Sequence, residues 1–193
     1  MKPTILAVVI GMTVSASVLA NEEFRSHEAH VHGKVEVNIA QDGQELLVEV
    51  TAPGADVVGF EHAPETAEQK KVFEQAIAQL NKPEDLFGFN NASCTLKFKS
   101  VTNTLEGDHD NHEGHDHAEH DHDDHEGHDH SEGGHGEFTA EYHYQCSDIA
   151  NLNTVNTQWF SKFSNTKSMT VNLLTDSVQT QEVLNAERVS FRF

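Results

Sequence analysis

Basic residues are scarce in this chain of 193: 12 lysines and arginines stand against 32 aspartates and glutamates, a formal charge of −20. So negative a surface repels phosphate backbones and anionic headgroups, which argues against nucleic acid or a membrane surface as partner and favours cations. Long apolar runs are missing after the first twenty residues, so no membrane insertion is expected of the rest of the chain. Assembled catalytic signatures are also lacking, with no His-Glu-x-x-His helix and no nucleophile elbow, so the chain does not read as an enzyme. Only two cysteines occur, and neither stands where a lipid anchor would need one.

What is present first concerns the compartment. Lys2 precedes an apolar or small run from Ile5 to Val18, and Val18-Leu19-Ala20 fits the small-x-small pattern of signal peptidase. Residues 1–20 therefore read as a cleaved signal peptide, with residues 21–193 a single domain in the periplasm of a Gram-negative cell. In that oxidising compartment Cys94 and Cys146 are expected to pair. Closing a loop of that size stabilises a fold by about 4 kcal/mol in the chain-entropy view. Free thiols serving as metal ligands are the rival reading.

Val35, Val37 and Ile39 alternate with Glu36 and Asn38, the period of a half-buried strand. Asp42-Gly43 signals a turn, and Leu47-Val48-Glu49-Val50 returns as the second arm of a hairpin that Pro53-Gly54 ends. Ala67 to Leu80 reads as a helix with Phe73, Ile77 and Leu80 on one stripe, Thr66 and Gln69 forming a capping box, and Asn81 and Pro83 stopping it. Leu96 and Phe98 suggest a third strand, Phe138 to Cys146 a fourth. Asp148 is read as the cap of a helical segment running through Trp159, Phe160 and Phe163. Met169–Leu174 and Arg188–Phe193 close the chain as strands. The predicted class is α+β: a mainly antiparallel sheet or sandwich of five to seven strands with two helices.

Between Glu106 and Glu137 the composition changes abruptly. This window holds ten histidines (His109, His112, His115, His117, His120, His122, His125, His128, His130 and His135) and thirteen acidic residues, with no lysine or arginine. So polar a segment cannot bury enough surface to offset its ordering entropy, and a disordered insert is expected. Neutral imidazoles with neighbouring carboxylates suit zinc, copper or nickel, and their many equivalent spacings predict several loosely held ions. Five histidines lie outside the insert: His27, His30, His32, His62 and His143. His30 and His32, two apart on a strand, would share one face and could share one ion. The expected tight site is His30, His32 and His62, completed by His143 or His27, with Glu28 and Glu61 as reserve oxygen ligands or orienting groups. Because ligating imidazoles must be neutral, metal binding is expected to weaken as pH falls through the imidazole range near 6.5. Deleting Asp108 to His135 is expected to lower stoichiometry and leave this site.

The signal sequence, His27-Glu28-Ala29-His30-Val31-His32-Gly33, Gly59-Phe60-Glu61-His62-Ala63-Pro64, the His-Asp insert and Cys146-Ser147-Asp148 together resemble the ZrgA family of zinc-regulated periplasmic proteins. The resemblance implies Zn2+ as the bound ion and an accessory role in high-affinity zinc import beside an ABC importer, whose periplasmic binding protein would be the partner. It places the family's histidine motifs at His30, His32 and His62. Three other readings stay open. A copper/zinc superoxide dismutase uses six histidines and an aspartate from its folded domain, and this chain has five histidines outside the insert. A nickel or copper sequestration protein would use the same insert. A complete ABC solute-binding protein needs two lobes, for which the chain is short.

Overall fold

A computed structural model describes residues 31–106 and 135–193. The predicted signal peptide, His27, His30 and the insert histidines His109 to His130 lie outside these residues. Nine strands form two sheets among the described residues. The larger has the order β4 (Cys94–Asn103), β5 (Glu137–Cys146), β2 (Glu45–Pro53), β1 (Lys34–Asp42), β7 (Ser168–Leu174) and β8 (Gln179–Leu184). The smaller contains β3 (Phe87–Asn90), β6 (Thr154–Thr157) and β9 (Ser190–Arg192), in that order. Every strand pair among the described residues is antiparallel except β1 with β7, which run parallel.

The predicted hairpin is present, with Val37 opposite Val50 and Ile39 opposite Val48. Gly43, with φ of 57°, supplies the left-handed turn residue. Alternation sends Val35, Val37, Ile39, Leu46, Val48, Val50, Phe138, Tyr142, Met169 and Val171 to one buried face, and each such side chain contributes roughly 1.5–3 kcal/mol. A single helical turn, α1 (Gly54–Val57), follows β2, and the longer helix α2 (Ala67–Leu80) covers the buried face. Thr66 Oγ1 accepts the Gln69 N–H while the Gln69 side chain accepts the Thr66 N–H, which completes the capping box. Phe73 lies 5.6 Å from Phe138 between ring centroids, and the Tyr142 hydroxyl donates to the Leu80 carbonyl at 2.6 Å. Burial pushes the Tyr142 phenol far above its ordinary range, so it stays a donor. The smaller sheet meets the larger one through Phe87 and Phe89, which lie against Tyr142 and Tyr144.

Two readings of the C-terminal third need correction. The helix expected from Asp148 through Phe163 is instead a 3-10 turn (Ile149–Asn151), strand β6 and one helical turn, α3 (Trp159–Lys162). Val155 and Thr157 pair with Phe89 and Phe87, and this sheet pairing overrides the helical spacing of the apolar residues. Strand β8 has no counterpart in the sequence reading, because its sequence QTQEVL is polar and buries only Leu184. It lies at an edge of the larger sheet, where such a composition is normal.

Cys94 and Cys146 sit opposite one another in the β4–β5 register and are bonded. The disulfide closes the end of this strand pair remote from Asn103 and Phe138, between which the insert departs and returns. Among the described residues no helix is long and apolar enough to cross a membrane.

Candidate metal site

Helix α1 anchors three separate stretches of chain at the same end of the larger sheet. The Gly54 N–H donates to the Gly136 carbonyl at 2.6 Å, and the Gly136 N–H donates to the Glu61 carbonyl at 3.2 Å. Gly136 is needed at this crossing. A Cβ there would lie 2.6 Å from Leu105 Cγ and 2.7 Å from the Glu61 carbonyl oxygen, closer than packed atoms approach. On the other side Asp56 Oδ1 accepts the Gly33 N–H at 2.7 Å, and the Gly33 carbonyl accepts the N–H groups of Lys167 and Ser168. Gly33 takes φ of 85°, a value that costs a residue with a side chain far more than glycine. Residues 32, 61 and 135 are thus each adjacent to a backbone group tied to this frame, or carry one themselves.

These ties bring three donor side chains together. His32 Nε2 lies 2.8 Å from Glu61 Oε1, and His135 Nδ1 lies 2.6 Å from Glu61 Oε2. The two rings meet edge to face with centroids 5.9 Å apart. One potential ligand atom from each of the three residues falls within 4.8 Å of the others. The Glu61 carboxylate is only 17% exposed, whereas the histidine side chains are 59% and 57% exposed. An inner carboxylate flanked by two outer imidazoles is therefore open to solvent on the imidazole side.

The donor set fits zinc. Two imidazoles and a carboxylate are common zinc ligands, held at about 2.0–2.2 Å, and a three-residue site keeps a fourth position for water or another donor. Tetrahedral donors at that distance stand roughly 3.3 Å apart, so the two exposed rings must move outward by about half an ångström to admit the ion. Glu61 Oε1 has its contact with His32 but lacks hydrogen-bond alignment, and it is buried. A buried carboxylate oxygen without a donor is a costly arrangement that a cation relieves.

Asp56, buried to 2% exposure, is bonded to the backbone one residue from His32. Burial raises its carboxyl above the usual carboxylate range; the Gly33 N–H and the nearby His32 pull it down, Glu61 pushes it up, and Lys167 pulls it down. Its second oxygen, Oδ2, has no hydrogen-bond partner among the described residues.

The structure separates the sequence-derived ligand set. His32 belongs to the triad, but it stands in the turn preceding β1 and not on the strand, which starts at Lys34. The expected shared strand face for His30 and His32 does not describe His32, since Gly33 breaks the extended backbone. His62 is not brought to His32. Its Nδ1 lies 2.8 Å from the Ala63 carbonyl oxygen and its ring packs on Phe60, because neighbouring side chains of this non-helical segment diverge and Glu61 takes the inward direction. His143 points from the opposite face of β5 to Tyr142 and Tyr144, pairs with Glu141 at 2.5 Å and meets the edge of Phe98. His135, read only as the last of ten insert histidines, joins the triad. Its one sequence signal is its position directly before the alternation that begins at Phe138. Asp56 gives no signal beyond its place after Pro53-Gly54.

No curated protein matches this sequence. Residues 29–193, nearly the whole chain, match the ZrgA family zinc uptake protein. That description is of uptake and not of a catalysed reaction, and its cargo agrees with a triad of two imidazoles and a carboxylate. The chain belongs to the ZrgA family of zinc uptake proteins.

Proposed function

We propose that this protein captures and buffers zinc in the periplasm, without catalysing a reaction, and assists high-affinity import by delivering zinc to the periplasmic binding protein of an ABC transporter. Zinc is the cargo. One ion is held by His32, Glu61 and His135, with His30 and His27 candidates from sequence for the remaining position. The insert histidines, His109, His112, His115, His117, His120, His122, His125, His128 and His130, gather further ions more loosely and raise the local zinc concentration beside the tighter site. His62 and His143 have no part in that tighter site.

The observation that carries this reading is the convergence of three donors from residues 32, 61 and 135 on one small volume. The three come from distant segments of the chain, and the carboxylate among them is largely shielded from solvent. The exposure of both imidazoles suits cargo, since a partner's ligands can approach from the solvent side and replace them one at a time. The family's role in zinc uptake supports zinc over nickel or copper.

Cells in which His32, Glu61 and His135 are replaced together should grow poorly when zinc is chelated, and so should a strain lacking the protein. Added zinc should restore growth. Growth of the triple variant equal to that of the wild type would count against the proposed role of the triad. Mixing zinc-loaded protein with the importer's metal-free binding protein should move zinc faster than spontaneous release allows. A transfer rate limited by spontaneous release would rule out direct delivery.

A further inference from the structure

We infer that Asp56 is a positioning residue of the zinc site, fixing the His32 turn through one carboxylate oxygen and placing its negative charge behind the bound cation with the other. The inference rests on the reading of His32, Glu61 and His135 as that site.

Three observations carry it. Asp56 Oδ1 accepts the Gly33 N–H at 2.7 Å, one residue from His32, and so sets where that imidazole starts. Gly33 is held from the other side as well, through its carbonyl, which accepts the N–H groups of Lys167 and Ser168, and a side chain at this position would meet Lys167 Cγ at 3.0 Å. The turn therefore has little freedom, and among the described residues Asp56 is the side chain that bonds its N–H. Second, Oδ2 is buried and accepts nothing among the described residues, although a carboxylate oxygen removed from water normally finds a donor. Third, the charges near Asp56 are those of the site itself, His32 and Glu61, together with Lys167. A helix C-cap, a turn or a surface ion pair would explain a carboxylate elsewhere; none accounts for the free oxygen here.

Two negative carboxylates near one another repel when nothing lies between them, and a divalent ion reverses the sign of that interaction. Glu61 touches the cation, while Asp56 supports it from the protein side and orients His32. Residues in such supporting positions typically contribute about 10–100-fold to metal affinity.

Asp56→Asn separates the two roles, since the amide oxygen still accepts the Gly33 N–H while the charge is gone. The full chain is titrated with zinc against a competing chelator, and the affinity of its tightest ion is compared for wild type, Asp56→Asn and Glu61→Gln. Asp56→Asn should weaken that ion about 10–100-fold, without lowering the melting temperature of the metal-free protein. Affinity within about twofold of wild type, with Glu61→Gln weakened, would overturn the role of Asp56 and leave the triad standing, since a supporting residue is worth about 10-fold at least. Unchanged affinity in Glu61→Gln would instead remove the triad reading, and this inference with it. Should Asp56→Asn fail to fold, the wild type decides. Its Asp56 carboxyl carbon resonance should move as the first equivalent of zinc is added, and a stationary resonance would overturn the inference.

Discussion

Glu61 Oε2 lies 2.6 Å from Nδ1 of His135, a residue 74 positions further along the chain. The pairing depends on Gly136, whose N–H is bonded to the carbonyl of the same glutamate. The side-chain and backbone contacts thus fix one another. Replacing Glu61 by Gln keeps the volume and removes the charge and one ligand oxygen. It should lower the affinity of the tightest zinc by about 100-fold or more, the upper end of what even a supporting residue contributes. His32→Ala and His135→Ala should do the same, whereas His62→Ala and His143→Ala should leave that ion bound as in the wild type. Chelator-competition titrations of the five variants check this pattern.

The close approach at Gly136 makes a second prediction. Gly136→Ala puts a methyl group 2.6 Å from Leu105 Cγ and 2.7 Å from the Glu61 carbonyl oxygen. Relief requires the two stretches of chain to part, at a cost of about 1–3 kcal/mol in urea denaturation. The same movement separates His135 from Glu61, so the tightest zinc should weaken as well. A variant with lost stability and intact zinc affinity would show that the crossing does not set the site.

How much of this is legible in the sequence follows from how local each feature is. The capping box of Thr66 and Gln69 and the alternation of Val35, Val37 and Ile39 are decided by residues a few positions apart, and both are present in the fold. The Asp148–Phe163 segment misleads because Leu152, Val155, Trp159 and Phe163 have helical spacing. Val155 is instead held extended between two partners across the smaller sheet, Phe89 on one side and Phe191 on the other. The triad is legible only in part. His32 and Glu61 are candidates from sequence, yet their union with His135 depends on β5 lying beside β2 in a register that sets Pro53 opposite Glu137. No spacing in the sequence encodes that register. It also changes one design: a deletion meant to remove the insert and keep the tighter site must end before His135, not at it.

Asp56 gives the metal-free protein a pH dependence whose sign is fixed. Burial raises its folded-state pKa above the unfolded value, so the folded chain binds this proton more tightly. The associated stability is present at low pH and is lost as pH rises through the folded-state pKa. With zinc chelated, Asp56→Asn should therefore gain stability relative to wild type as pH is raised through the interval between the ordinary carboxylate pKa and the raised one. Urea midpoints measured across that interval test it, and a constant difference would contradict it.

The Cys94–Cys146 bond joins β4 and β5 at the end away from the insert. Replacing both cysteines by serine should lower stability by at most about 4 kcal/mol, the loop-closure value. Zinc affinity of the tightest ion should change little, because the triad lies at the opposite end of this strand pair. Urea denaturation and zinc titration of the same double variant separate the two effects.

The most direct test is a crystal of the zinc-loaded protein with diffraction recorded on both sides of the zinc absorption edge. The account predicts an anomalous peak bonded to His32, Glu61 and His135 at about 2.0–2.2 Å. Zinc bound instead at His62 or His143, with residues 32, 61 and 135 still contacting only one another, would contradict it.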